Sequence, residues 1–213
     1  MKTIGSTTAS CLAGAVLLAG CATHSSLPAC KQSFVRYYES GEYERDVTAV
    51  AERAKKFIRQ RARTGQTNLV IVLDVDDTAL SDWNYMRSID FGFEQGHFEN
   101  WVARAEAPPI QPILELCRES ERLGVEVFFV TGRDEHLREP TERNLRLVGF
   151  TKFAGLFMRP ASGSGTSTAA FKASIRHQLT ASGKFVIANI GDQQSDLDGG
   201  FAERVFKIPN PFY

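Results

Sequence analysis

The chain contains several apolar runs that lack the polar alternation of a half-exposed strand. The clearest is Leu69–Leu73, which precedes three aspartates at positions 74, 76 and 77. Strands that are apolar throughout are typical of a parallel sheet covered by helices on both faces. On this basis we predict strands at 69–75, 125–130, 155–160, 184–190 and 204–208.

The segments between these runs have helical spacing. Apolar residues recur at helical intervals over 43–62, and further helices are predicted after the Pro-rich stretch 107–112, over 136–150 and after the small-residue loop that starts at Ala161. Strands that alternate with helices predict a doubly wound α/β fold. A chain of 213 residues favours one domain.

Charge and composition exclude some classes of partner. Lys+Arg and Asp+Glu balance at 25 each, so no basic excess indicates a nucleic-acid-binding protein. The hydrophobic share of 43% is sufficient for a sizeable core.

The first residues have the composition of a secretion signal. A single lysine precedes a short apolar stretch that ends in "LAGC", a pattern typical of a signal peptide and too short for a membrane span. The ending resembles the lipobox of bacterial lipoproteins. We therefore predict a lipoprotein signal peptide over 1–20, a lipidated Cys21 and a tether over 21–29. Cleavage of an ordinary signal near Ala22 is the alternative.

The predicted anchor also sets the compartment. Ala22 follows the cysteine where an aspartate would favour the inner membrane, so the pattern implies the bacterial outer membrane, facing the periplasm, if the cell has two membranes. Export would place Cys30 and Cys117 where disulfides are permitted. Cys117 lies on the apolar stripe of a predicted helix, and we prefer a buried free thiol there. A Cys30–Cys117 bridge stays open.

Polar clusters follow three of the predicted strands: "DVDDT", "TGR" and "GDQQSD". Ligands of such sheets bind beyond the carboxyl ends of the strands, so the topology brings these clusters together. Asp74 and Asp76 are two positions apart and face the same side of an extended segment. With Asp192 they form a set of hard oxygen ligands that suits Mg²⁺. The sequence has neither the ligands of a zinc site nor the spacing of an EF-hand loop.

Groups that can bind a phosphoryl group accompany these carboxylates. Thr131 supplies a hydroxyl, Gly132 leaves its backbone N–H open to approach, and Lys172 lies near the start of a predicted helix. A carboxylate at such a site can attack phosphorus. A second carboxylate can act first as acid and then as base. The combination indicates chemistry on a small phosphate monoester.

Taken together, the motifs resemble the haloacid dehalogenase-like (HAD) phosphatases, which carry D-x-D-x-[TV], a threonine, a lysine and G-D-x-x-x-D in this order. The segments "LDVDDTALSDWNY", "VFFVTGR", "FKASIR", "IGDQQSDL" and "FKIPNPFY" are similar to the acid phosphatases of subfamily IIIB, which include plant vegetative storage proteins and secreted bacterial relatives. The resemblance covers roughly residues 30–213. It implies an HAD-like sheet with a small cap, at 82–108, after the first strand.

The resemblance also implies roles for individual residues. Asp74 would be the nucleophile and Asp76 the general acid/base. Mg²⁺ would be held by the Asp74 carboxylate, the Asp76 backbone carbonyl and Asp192, with Asp196 as an orienting residue behind them. Thr131, like the lysine at position 172, would bind the phosphoryl group.

The expected function is an exported, lipid-anchored, Mg²⁺-dependent acid phosphatase that works through an aspartyl-phosphate. Two alternatives stay open: a phosphotransferase or nucleotide-selective phosphatase in the same site, and a non-catalytic envelope or storage lipoprotein. The aromatic residues of "DWNY" and "FENW" form either a wall for the substrate or the core of the cap. Arg133 either touches substrate or braces a carboxylate. Asp77 is predicted to hydrogen-bond locally.

Overall fold

The computed structural model describes residues 26–160 and 165–212. The predicted signal peptide, the lipidation site Cys21 and most of the predicted tether lie outside these residues. None of the helices in the described part of the chain combines the length and the apolar character that a membrane crossing requires.

Five parallel strands form one sheet in the order β3-β2-β1-β4-β5. The first strand is central, and the chain crosses from β1 outward to β3 before it returns to β4. This topology confirms the predicted doubly wound α/β fold. The bounds are β1 Leu69–Leu73, β2 Glu126–Asp134, β3 Gly155–Arg159, β4 Phe185–Gly191 and β5 Arg204–Lys207.

Eight α-helices surround the sheet in the described residues. Their bounds are α1 Leu27–Glu39, α2 Glu42–Ala62, α3 Trp83–Ser88, α4 Gln95–Arg104, α5 Gln111–Arg122, α6 Arg138–Leu147, α7 Thr168–Ala181 and α8 Gln194–Leu197, and a 3₁₀ turn spans Glu135–Leu137. The predicted cap segment forms α3 and α4. Pro140 lies in the first turn of α6, where the helix does not need its missing N–H.

The continuous apolar run of β1 is explained by burial on both faces. Val70 and Val72 belong to a core cluster shared with α7, whereas Leu69, Ile71 and Leu73 belong to a larger cluster shared with α2 and α5. Successive side chains of a strand point to opposite faces, so both sets must be apolar.

Three local expectations differ from the structure. The strand β2 continues to Asp134, four residues beyond the predicted end, because Asp134 still pairs with Arg159 of β3. The helix α1 begins at Leu27, so the last residues of the predicted tether are helical, with Pro28 in the first turn. β1 ends at Leu73, before the chain turns into the aspartate cluster.

Both cysteines of the described chain are free thiols. Cys117 is buried on α5, as preferred from the sequence, and burial raises the pKa of its thiol well above the ordinary value.

Candidate active site

The predicted site residues meet at the carboxyl edge of the three central strands. Asp74 directly follows β1, Thr131 lies on β2 and Asp192 directly follows β4. The backbone N–H of Asp74 donates to the carbonyl of Ile190 at 3.0 Å, which fixes the start of the aspartate loop against β4. The parallel register therefore assembles the site from segments more than 100 positions apart along the chain.

Asp74 is buried and paired with a lysine from the helix α7. The ammonium group of Lys172, on α7, contacts the Asp74 carboxylate and lies 2.6 Å from Asp196 Oδ1. Burial raises the pKa of Asp74 well above its ordinary value, and Lys172 opposes that shift. Burial alone would lower the pKa of Lys172, but the two carboxylates raise it above its usual range. Lys172 is therefore a fixed positive charge at the predicted nucleophile.

Asp76 is held by a different cation. Arg133 Nη2 donates to Asp76 Oδ1 at 2.7 Å and Arg133 Nε donates to the same oxygen at 3.0 Å. The Thr131 hydroxyl donates to Asp76 Oδ2 at 3.4 Å. Burial raises the pKa of Asp76, but the charge and hydrogen bonds of Arg133 outweigh burial and hold it below the ordinary value. Of the two roles left open for Arg133, the structure supports the brace.

Arg133 is itself fixed on three sides. Its side chain is only 1% exposed, its Nη1 donates to Thr141 Oγ1 at 3.0 Å, and its guanidinium lies 5.7 Å from the ring centre of Phe98 on α4. The brace thus connects the sheet, α6 and the cap segment. A buried guanidinium with defined partners has little freedom to swing.

Asp82 also belongs to the site, although it was not among the residues predicted for it. It is buried at the start of α3, and the indole Nε1 of Trp101 on α4 donates to its Oδ1 at 3.0 Å. Burial raises the pKa of Asp82 well above the ordinary value, and the neighbouring Asp76 and Asp77 raise it further. Asp77 accepts the backbone N–H of Asp82 at 2.9 Å, which confirms its predicted local role.

Asp192 is surrounded by neutral donors. Its Oδ1 accepts from the Thr78 hydroxyl at 3.1 Å, and its Oδ2 accepts from the side-chain amides of Gln193 and Asn210, each at 2.7 Å. No ion pair to Asp192 is seen among the described residues. Burial raises its pKa, Asp196 adds to the shift, and the three donors oppose it.

Carboxylate oxygens of Asp74, Asp192 and Asp196 lie within 4.8 Å of one another. All three residues are buried, and an all-oxygen donor set of this charge fits Mg²⁺. Asp196, expected only as an orienting residue, also accepts the backbone N–H of Gln193 at 2.8 Å. Gly191 makes room for it, because a Cβ at that position would overlap the Asp196 side chain.

A cavity of about 680 Å³ opens beside Asp76. Gly132 and Arg133 line its sheet side, and Phe93 and Phe98 line its cap side. Of the two interpretations of the cap aromatics, substrate wall and cap core, each therefore holds for some of these residues. Trp83, Tyr85 and Trp101 pack within the protein, with Tyr85 and Trp101 buried, and Phe98 of "FENW" faces the cavity.

Comparisons with known proteins agree with this geometry. The family model described as HAD superfamily, subfamily IIIB (acid phosphatase), matches residues 12–213. The chain belongs to this family. It is therefore a phosphomonoester hydrolase of the acid phosphatase type.

Relatives of this acid phosphatase include two plant proteins. Vegetative storage protein 1 of Arabidopsis thaliana is 33% identical over 194 residues, which is 88% of this chain and 72% of the relative. Acid phosphatase 1 of Solanum lycopersicum is 32% identical over 185 residues, which is 84% of this chain and 72% of the relative.

A solved structure has a similar fold. The class C acid phosphatase from Bacillus anthracis with tungstate bound aligns with a TM-score of 0.69 at 18% identity over 86% of each chain. At this identity the likeness supports the HAD-like fold.

Proposed function

We propose that this acid phosphatase is an exported, Mg²⁺-dependent enzyme that hydrolyses phosphate monoesters through an aspartyl-phosphate on Asp74. The observation that carries the proposal is the separation of two carboxyl groups at one strand end. Asp74 lies in the carboxylate cluster against Lys172, whereas Asp76 is turned to Arg133 and to the cavity. One group is placed for attack and the other for proton transfer.

The charges of the site support a divalent cation. Asp76 has Arg133 as its partner, and Asp74 and Asp196 share Lys172. Asp192 brings the number of these carboxyl groups to four, and the cations beside them are Lys172 and Arg133. An incoming phosphate dianion would add to this negative excess. Mg²⁺ held by Asp74, Asp192 and the Asp76 carbonyl would neutralise that charge and polarise the phosphoryl oxygens when bound.

The chain's own residues then account for two steps. Lys172 and a bound divalent cation would favour the ionised form of Asp74 against the effect of its burial, so that its carboxylate attacks phosphorus as the ester P–O bond breaks. Because Arg133 holds the pKa of Asp76 low, Asp76 passes to the leaving oxygen a proton from its hydrogen-bonded neighbour Asp82, whose pKa is raised. Water next attacks the phosphorus of the aspartyl-phosphate, Asp76 accepts its proton, and inorganic phosphate leaves with Asp74 restored. The Lys172 ammonium group and the Gly132 backbone N–H donate the hydrogen bonds that hold phosphoryl oxygens near Asp74. The Thr131 hydroxyl supports Asp76 at 3.4 Å and accepts the Arg133 backbone N–H at 3.1 Å.

The test uses hydrolysis of p-nitrophenyl phosphate with Mg²⁺ and after EDTA treatment. We expect EDTA to abolish turnover and Mg²⁺ to restore it. Trapping with beryllofluoride should place the phosphoryl mimic on Asp74. A mimic bonded to another residue would contradict the assignment.

A nucleotide-selective or aryl-selective activity is the second candidate, because Phe98 faces the cavity beside Asp76. A substrate panel of nucleotides, sugar phosphates and aryl phosphates tests it. Addition of an acceptor alcohol tests phosphotransfer, since its phosphate ester would appear at the expense of inorganic phosphate.

The lipid anchor is proposed from the "LAGC" sequence alone. Five residues separate Cys21 from Leu27, the first residue of α1, so an anchored domain would lie at most roughly 20 Å from the lipid. Cys21→Ser should release the protein from membranes while a protein starting near Ser25 keeps its activity. An unmodified mature N-terminus on wild-type protein would refute the anchor.

A further inference from the structure

The C-terminal segment returns to the site after β5 and contacts it through one side chain. Asn210 Nδ2 donates to Asp192 Oδ2 at 2.7 Å and lies 3.5 Å from Asp77 Oδ2. Asn210 Oδ1 accepts the backbone N–H of Phe212 at 2.8 Å. The amide orientation is thereby defined, because its acceptor faces an N–H and its donor faces carboxylates.

The backbone around Asn210 is restrained on both sides. Pro209 and Pro211 flank it, and a proline fixes its own φ and restricts the residue before it to extended conformations. The bond between Asn210 Oδ1 and the N–H two residues later closes an Asx turn. The donor is thus presented by a segment that has few alternative conformations.

An aromatic cluster holds this segment in place. The ring of Phe212 lies 5.8 Å from Phe34 of α1, 5.7 Å from Trp83 of α3 and 5.8 Å from Phe91. Aromatic pairs at these separations are favourable. Asn210 is therefore fixed between the metal-ligand cluster and a packed cluster that includes the first helix of the described chain.

The other two donors to Asp192 come from inside the motifs that form the site. Gln193 is the adjacent residue and Thr78 lies in the loop after β1. Asn210 is the partner that comes from outside those loops. Its bond to Oδ2, together with the Thr78 bond to Oδ1, restricts rotation of the Asp192 carboxylate, which has an oxygen within 4.8 Å of carboxylate oxygens of Asp74 and Asp196.

We propose that Asn210 is a positioning residue of this phosphatase, which orients Asp192 for divalent-cation binding through the Nδ2–Oδ2 hydrogen bond. The inference rests on the proposed metal dependence. Partners that orient metal ligands typically change metal affinity 10- to 100-fold when removed.

The test measures Mn²⁺ binding to metal-free protein from the electron paramagnetic resonance signal of the free ion. Asn210→Ser removes the donor, and its hydroxyl can still accept the Phe212 N–H in the same type of turn. We expect its Mn²⁺ dissociation constant to rise about 10- to 100-fold. Asn100→Ser, the same change at an exposed position of α4, is the matched control and should stay within about threefold of wild type.

A double-mutant cycle separates orientation of Asp192 from a general effect on the tail. If Asn210 acts through Asp192, the Asn210→Ser change should have little further effect on Mn²⁺ affinity in an Asp192→Asn background. Thermal melting of each metal-free variant monitors folding.

The outcomes distinguish the two proposals. Wild-type protein that binds no Mn²⁺ or Mg²⁺ would refute the metal dependence of the proposed function. Wild-type protein that binds Mn²⁺, together with unchanged affinity in Asn210→Ser, would refute the role of Asn210 alone. Equal losses in both backgrounds of the cycle would also overturn it, because Asn210 would then act independently of Asp192.

Discussion

Replacing Asp76 with Asn separates proton transfer from nucleophilic attack. The substitution keeps the shape of the side chain and the backbone carbonyl, and its amide oxygen can still accept one bond from Arg133. It removes the carboxyl proton that the proposed mechanism moves. Asp74→Asn, by contrast, removes the attacking group, so no phosphoenzyme should form.

The structural cost of Asp76→Asn can be bounded from its contacts. Removing one partner of a fully buried ion pair costs about 3–5 kcal/mol. Asp76 is 21% exposed and Arg133 keeps Thr141 as a partner. We therefore expect the free energy of unfolding to fall by about 2 kcal/mol, which lowers the melting temperature by roughly 4–8 °C for a domain of this size. The variant should remain folded at 25 °C.

The chemical loss should depend on the leaving group. General acid–base catalysis is worth about 10²–10⁴-fold, or roughly 3–5 kcal/mol. Glycerol phosphate, whose alkoxide needs a proton, should lose that full factor in the first step. p-Nitrophenyl phosphate needs little protonation, so Asp76→Asn should release about one equivalent of nitrophenolate in a fast burst and then turn over slowly.

Rapid-quench kinetics on both substrates provide the measurement. Glu135→Gln is the control, because Glu135 pairs with Arg138 outside the cavity. Equal losses on the two substrates without a burst would refute the role of Asp76 as acid and base. Near wild-type turnover of Asp74→Asn would refute the nucleophile.

Three further predictions follow from burial and packing. Burial and Asp196 raise the pKa of Asp192 above the ordinary value near 4, so folded metal-free protein binds a proton that the unfolded chain has released. Its melting temperature should rise as the pH falls from neutral toward the ordinary carboxyl value near 4, and a flat profile would contradict this. Phe98→Ala should raise KM about three- to tenfold for aryl phosphates and leave alkyl phosphates nearly unchanged. Gly191→Ala should lower the melting temperature by several degrees, because its methyl group would overlap Asp196.

The sequence predicted the sheet and its carboxylates because both depend on local pattern. Leu69–Leu73 shows its burial on both faces in five consecutive residues, and Asp74 and Asp192 each follow such a run directly. The rule that parallel strands share a carboxyl edge then places them together. The helix α1 was missed because it has no fully buried residue, so its apolar pattern is weak.

The partners of the carboxylates were harder to predict. Arg133 directly follows the phosphate-binding motif, but a long side chain can reach either substrate or Asp76, and spacing does not decide between them. Asp82 becomes part of the site through side-chain contacts with Asp76 and with Trp101 on a separate helix, and neither contact follows from local sequence pattern. Its presence in "LSDWNY", within a motif quoted for the family resemblance, was the one available signal.

Asn210 illustrates the physical limit most clearly. Strand periodicity determines which way Asp74 points, but nothing in the periodicity of residues 204–208 determines where the chain goes after β5. That path depends on the packing of Phe212 against Phe34 and Trp83, which lie more than 120 positions earlier in the chain. Because α1 supplies part of this cluster, the segment beside the predicted lipid anchor and the last residues of the chain are packed together. Removal of either segment should therefore weaken the Asn210–Asp192 hydrogen bond, which local sequence pattern could not predict.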